Sequence, residues 1–441
     1  MTHDQKAISW VRLRGLMVDS GAPEDDLALF DQVISRRRFL GRVGTGGAAL
    51  AALMTFGAGT DAAVRGLFGR GLVPVAWADE EKMIAGKPGM IVHNTRPVNG
   101  EFPPHLLDDT VTPSVRHFVR NNGLVPVRAD KKDLQGWKLT IDGEVQRPLE
   151  LSMADLKKFP SVTLQASIEC GGNGRGHFDP KVRGNQWDRG AIGCSKWTGV
   201  RLRDVLKHAG LKSSAVYTAH YGEDPPIGTA TPFSRGIPID KAMEAHTLIA
   251  YQMNGEDLPA LNGYPARLVV PGWIGSCSEK WLTRIWVRDR VHDSDKMTGY
   301  SYRVPAYPVE PGVVPPKEDM VIATAWNIKS MITHPEPKKQ FKVGETIKVR
   351  GHAWAGEDTV AKVLVSTDYG IRWQEAKLSS PANKYAWNDW GTELRFRGKG
   401  YYEIWARAFD NHGNAQPFIQ PWNPRGYMGN VIHRLPLTVS A

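Results

Sequence analysis

Cysteine is scarce in this chain. Cys170, Cys194 and Cys277 are the only three in 441 residues, which excludes a scaffold built on disulfides. A Cys-x-x-Cys-His segment is missing, so nothing here attaches a c-type haem covalently, and no haem is expected in the chain. There is no Gly-x-Gly-x-x-Gly loop between a strand and a helix to hold a dinucleotide; Gly171-Gly172-Asn173-Gly174-Arg175 is glycine-rich but lacks that context. Long apolar runs are absent too. Behind the first part of the chain no segment approaches the roughly 20 apolar residues of a membrane-spanning helix, so the mature protein is expected to have no stable membrane span. Long basic runs are lacking although the net charge is +10. Scattered Lys and Arg argue against nucleic acid and for a small anionic substrate or cofactor.

A hydrophobic content of 41% against 23% charged residues fits a globular protein with a real core. At roughly 100–200 residues per domain, the length suggests two or three domains. The front of the chain looks like an address. Ser35-Arg36-Arg37-Arg38-Phe39-Leu40 precedes an apolar small-residue stretch over 43–59, and Ala76-Trp77-Ala78 offers an A-x-A cleavage site. That order resembles a twin-arginine export signal, the alternative being the start of an ordinary amphipathic helix. Such export moves folded proteins, often with a cofactor already inserted, and points to the periplasm. The expected organisation is an N-terminal extension over 1–34, a signal region over 35–78, a catalytic domain over 79–318 and an all-β domain over 319–441.

Residues 79–115 are rich in Pro, Asn and polar side chains and read as an irregular arm. Trp137 to Gly143 alternates apolar and polar residues and ends in Asp-Gly, a strand followed by a turn. Ser152 to Phe159 reads as a short helix stopped by Pro160, Val162 to Ile168 as a strand, and Val205 to Gly210 as a helix end with a glycine cap. Val313 to Glu318 is proline-rich and reads as a linker. Beyond it, Thr346 to Trp354, Ala361 to Ser366 and Tyr401 to Phe409 alternate between turn signals, as in an immunoglobulin-like β-sandwich. The fold class is α+β.

Cys170 stands just past the strand, inside Glu169-Cys170-Gly171-Gly172-Asn173-Gly174-Arg175. Two glycines let the backbone approach something bulky. A neighbouring cation favours the thiolate, which binds soft metals. By residue type alone Cys170 could equally be a buried apolar cysteine. The surrounding motifs add to this. Phe118-Val119-Arg120-Asn121-Asn122 lies upstream. Asn185-Gln186-Trp187, Trp197-Thr198-Gly199-Val200, Tyr264-Pro265-Ala266-Arg267, Lys280-Trp281-Leu282 and Pro421-Trp422-Asn423-Pro424-Arg425-Gly426 follow in order. Together, from about residue 115 to the C-terminus, they resemble the sulfite oxidase family.

That resemblance implies a mixed α+β molybdopterin domain followed by a β-sandwich dimerisation domain, hence a homodimer. It implies one molybdenum per chain, held by a single molybdopterin and by Cys170. Arg120, Arg175 and Arg425 would line an anion pocket, Trp187 would wall it, and Tyr302 would stand beside the reacting atom, with Tyr300 as the competing choice. Asn121, Asn122, Arg267, Ser278 and Lys280 would hold the pterin and its phosphate. Taken singly, each of these residues could be surface, core or turn. Cys277 stands where many resembling chains have Arg, which puts the contacts near Ser278 in doubt, and a Cys194–Cys277 disulfide is conceivable. His220 and His246 read as structural.

The physics agrees with an anion pocket. Guanidinium groups stay charged and fork onto oxyanions, and several converging on one spot repel one another unless an anion joins them. The implied activity is oxidation of sulfite or a related sulfur oxyanion to sulfate by oxygen-atom transfer, with electrons passed to a c-type cytochrome. The alternatives are an S- or N-oxide reductase of the same fold, such as a methionine sulfoxide reductase, and a non-catalytic exported β-sandwich binding protein.

Overall fold

A computed structural model describes residues 84–441. The export signal and the extension before it lie outside the described residues. Among the described residues no helix is long and apolar enough to cross a membrane.

The first part of the structure is built on two five-stranded sheets and one three-stranded one, and a two-stranded ribbon of Arg303–Pro305 with Met320–Ile322 leads into the second part. In one large sheet, Leu139–Gly143 runs parallel to Leu282–Arg288 and antiparallel to Leu149–Leu151, while Tyr217–Gly222 and Ser234–Pro238 continue the far side. In the other, Ser161–Glu169 pairs antiparallel with Ile192–Arg201, with Glu169 opposite Ile192. Apolar side chains from both sheets and from helix Leu202–Ala209 form a shared core including Leu139, Ile141, Leu206, Ile249 and Ile285. The helices are short because their caps come early. Ser152 caps Met153–Leu156 with a reciprocal capping box to Asp155, and Gly210 ends Leu202–Ala209 at a φ of 74°.

The arm over 79–115 is more regular than expected. Ile91–Thr95 and Val98–Glu101 form a hairpin, and Val98–Glu101 pairs with Val119–Arg120. The alternation is weak here because the strands are two to five residues long and polar side chains such as Asn99 and Glu101 point inward. This small sheet is what places Arg120.

The C-terminal part is a two-layer sandwich. Lys329–His334, Ile347–Trp354, Asn388–Leu394 and Lys377–Leu378 form one sheet. Gln340–Lys342, His433–Ser440, Gly400–Asp410, Val360–Ser366 and Gln374–Glu375 form the other. Period-two burial in His433–Ser440 turns Leu435, Leu437 and Val439 inward against Val349, Val363 and Ile404. Between the two parts, the proline-rich stretch carries one short helical turn at Lys317–Asp319.

Candidate functional site

The site assembles from strand ends and turns. Cys170 follows the last residue of Ser161–Glu169, and its backbone N–H donates to the Ala191 carbonyl at 2.9 Å. It is 8% exposed, and that small opening decides its role: the residue stands between two chambers. Arg120, Asn122 and Tyr302 also border both.

The outer chamber has a volume of about 250 Å³. Arg120, Arg175, Arg183 and Arg425 line it, and no carboxylate does. Arg175 is buried, donating through Nε to the Arg425 carbonyl at 3.1 Å and through Nη1 to the Asn185 carbonyl at 3.2 Å. Its slot exists because of glycine. A Cβ on Gly172 would lie 2.5 Å from Arg175 Nη2, and one on Gly426 would lie 2.7 Å from its Cγ. Arg425 arrives on the loop between Gly400–Asp410 and His433–Ser440, so the sandwich supplies part of the wall.

Tyr302 has a φ of 57°, unusual for a side chain this large. Its hydroxyl donates to Asn122 Oδ1 at 3.2 Å, and its ring stacks on Tyr427 at 5.4 Å. The Asn122 oxygen also accepts from Arg120 Nη2 at 2.8 Å. Burial pushes the Tyr302 hydroxyl up to about 12, against the pull of the Arg120 charge. It therefore keeps its proton at neutral pH. Tyr300, the competing residue, donates instead to the Pro315 carbonyl at 3.4 Å and borders neither chamber.

The inner chamber is smaller, about 60 Å³, and mixes charges of both signs. Arg267 donates to the carbonyls of Asn262 at 3.0 Å and Ser278 at 2.9 Å. Lys280 donates to Asn121 Oδ1 and to the Leu261 carbonyl. Burial drives Arg267 down to about 9 and Lys280 well below its ordinary value, with Arg267 repelling Lys280 further. Burial raises Glu279 well above the usual carboxylate range and Asp224 to about 6. His117 is held neutral by burial and by the charges of Lys87 and Arg267.

Most of the expected residues meet here, with exceptions. Trp187 is fully enclosed, meets the His93 ring edge-on at 4.5 Å and borders neither chamber, lying in the apolar cluster that includes Phe118, Cys170 and Ala191. Its indole Nε1 is buried without a hydrogen-bond partner. Ser278 borders the inner chamber, but its hydroxyl accepts from the Val270 N–H at 3.0 Å. Cys194 and Cys277 are both free and sit in different apolar clusters, so the conceivable disulfide is absent. Arg183, His117, Asp224, Ser276, Glu279 and Tyr427 were missed; Glu279, between the noted Ser278 and Lys280, and Ser276, two residues before Ser278, had a readable signal.

Whether these residues suit a pterin cofactor can be tested on unpaired atoms. Buried polar atoms are nearly always hydrogen-bonded. Around the inner chamber His117 Nε2, Ser276 Oγ and Glu279 Oε2 are buried without partners, as is the Asn121 amide nitrogen at the edge of the outer one. Donors and acceptors together, beside two buried cations of which Arg267 depresses Lys280, fit a polar ring system carrying an anionic group.

Comparison with known proteins agrees with that fit. Residues 123–296 match the family model described as an oxidoreductase molybdopterin binding domain, and residues 320–440 match the Mo-co oxidoreductase dimerisation domain. The chain is 34% identical over 373 residues to the mitochondrial sulfite oxidase of Rattus norvegicus, covering 80% of this chain and 66% of that protein. It therefore spans slightly less than two thirds of the rat protein's length. Against the sulfite oxidase of Gallus gallus it is 34% identical over 367 residues, covering 79% of this chain and 77% of that protein. The structure is similar to the sulfane dehydrogenase SoxCD from Paracoccus pantotrophus, with a TM-score of 0.66, 26% identity, and coverage of 89% of this chain and 97% of that one. On these matches, together with the two chambers that meet at Cys170, the chain belongs to the sulfite oxidase family of molybdopterin oxidoreductases.

Proposed function

We propose that the protein oxidises sulfite, or a closely related sulfur oxyanion, to sulfate. The observation that carries this reading is the outer chamber: four arginines and no carboxylate around one cavity that opens onto Cys170. Fixed guanidinium groups bind small oxyanions strongly and repel one another without them. In this reading Cys170 ligates the metal, Arg267, Ser276, Glu279 and Lys280 hold the pterin from the inner side, and Asn121 reaches it from the edge of the outer chamber.

When bound, the molybdenum cofactor supplies two-electron chemistry and oxygen-atom transfer. The chain's own residues do the rest. Arg120, Arg175 and Arg425 draw in the dianion and orient it toward Cys170. Tyr302, protonated at neutral pH, can turn its single O–H from Asn122 Oδ1 toward the substrate's oxygens. The Asn122 oxygen, shared between Arg120 and Tyr302, keeps cation and hydroxyl in register.

The electron acceptor in this proposal is a c-type cytochrome, the assembly is a homodimer formed through the C-terminal domain, and the protein works in the periplasm after twin-arginine export. A larger sulfur substrate is a second reading, since the outer chamber, about 250 Å³, is the roomier of the two. The neighbouring fold, named a sulfane dehydrogenase, is consistent with that reading.

Protein matured in a cofactor-producing host, assayed for sulfite-dependent and sulfane-dependent reduction of cytochrome c, separates the two. Sulfoxide-dependent oxidation of a reduced viologen dye without either activity would establish the reductase alternative instead.

A further inference from the structure

The residue before the cysteine is locked to the other domain. Glu169 is 1% exposed. Its carboxylate accepts from Asn173 Nδ2 at 2.9 Å and from Trp354 Nε1 at 2.7 Å, and it pairs with Lys329 Nζ. Lys329 and Trp354 face each other across neighbouring strands of the sandwich. The sandwich thus presents one cation and one indole donor to a single buried carboxylate. Asn173 ties the same carboxylate to the turn after Cys170, because its Oδ1 accepts from Ala191 N–H while its backbone N–H donates to the Cys170 carbonyl.

Stability alone is a poor reason for this arrangement. A buried ion pair costs much desolvation and is commonly no more stabilising than well-packed apolar residues. Lys329 sits 4.9 Å over the Trp326 ring; burial lowers its pKa, while Glu169 and, more weakly, a thiolate at Cys170 pull it back toward the charged form. The pair therefore lies within electrostatic reach of the sulfur and outside both chambers.

We propose that Glu169 and Lys329 are a positioning pair for the reaction: the carboxylate fixes the strand end that carries Cys170, and the two opposed charges set the field at its sulfur. The sandwich then contributes to the electron balance of the active site as well as delivering Arg425. The proposal deepens the functional reading above and rests on Cys170 being the metal's protein ligand. Charge and hydrogen bonding around a ligating group tune a metal's reduction potential. Positive charge favours the reduced state, and negative charge opposes it.

The consequence is a difference in sign. Lys329→Met leaves the carboxylate unopposed and lowers the metal's midpoint potential. Glu169→Gln leaves the ammonium unopposed and raises it. A purely mechanical bolt would move both variants the same way. The experiment compares molybdenum-loaded full-length protein with Lys329→Met, Glu169→Gln, the double variant and Lys329→Arg, measuring metal content, midpoint potential by redox titration, and kcat and KM for sulfite.

The expected result is opposite shifts in the single variants, a double variant near the parent, and rescue by Lys329→Arg. A several-fold change in kcat should accompany the shifts with KM within twofold. Same-sign shifts, or none, in metal-loaded variants would overturn the proposal. Should Lys329→Met fail to fold, adding it to Glu169→Gln must lower the potential of that variant. A double variant that folds without metal would also overturn the proposal, by making the pair a bolt. Cys170→Ser run in parallel separates the levels: if it keeps the parent's potential, the ligand assignment fails rather than the pair.

Discussion

The two chambers share Cys170, Arg120, Asn122 and Tyr302, yet they are built on different principles. The outer one holds four arginines with no acid, in about 250 Å³. The inner one holds about 60 Å³, balances Arg267 and Lys280 against Asp224 and Glu279, and leaves buried donors and acceptors unpaired. A one-sign chamber suits a ligand that enters, reacts and leaves, because charge alone recruits it. A chamber of mixed polar atoms, several of them unpaired, suits a group that stays. Substitutions in the outer chamber should therefore disturb KM, those in the inner one cofactor content, and only the shared residues both turnover and metal.

The largest effect is expected at the junction. Cys170→Ser should abolish turnover, exceeding the roughly 10–100-fold cost typical of a metal site's outer partners, with a melting temperature close to the parent's in the cofactor-free form. Next is Lys280→Met, which removes one inner cation. Losing a charged hydrogen bond costs roughly 1.5–3 kcal/mol, so molybdenum and pterin per chain should fall at limiting cofactor supply. Arg425→Gln should raise KM for the anion by a similar free energy, about 10–100-fold, while leaving metal content unchanged. A fall in metal content there would break the division between the chambers.

Smaller effects sharpen it. Gly426→Ala puts a Cβ 2.5 Å from Val182 Cγ2 and 2.7 Å from Arg175 Cγ at a φ of 59°. It should cost about 1 kcal/mol or more of stability by thermal melting and raise KM a few-fold by displacing Arg175. The smallest effect concerns pH. The Asp224 carboxyl, raised by burial to about 6, favours the folded cofactor-free protein below pH 4, and this contribution is lost as pH rises through 6. Asp224→Asn lacks that loss, so its melting temperature relative to the parent should increase between pH 4 and 7. A constant difference would mean that the carboxyl ionises freely.

Much of this was legible in the chain. Period-two alternation gave the sandwich strands, the turn chemistry at Asp142-Gly143 and Gly210 gave element ends, and the motif around Cys170 marked the junction. Other features were not. The small sheet that carries Arg120 hides in strands too short for periodicity. Size and order say nothing about which side of a cysteine the Trp187 ring packs on, and its enclosure shows only in the fold. Glu279 and Asp224 carry no local sign of their role, since burial that lifts a carboxyl's pKa arises only when distant turns close over it. Lys329 lies far along the chain from Glu169 and nothing local announces their pairing.

The claim under all of this is that the Cys170 sulfur binds the metal where the two chambers meet. Molybdenum X-ray absorption on cofactor-loaded parent and Cys170→Ser protein tests it most directly. The prediction is one sulfur scatterer fewer per molybdenum in the variant, whatever its molybdenum content. An unchanged sulfur count in the two proteins would contradict it.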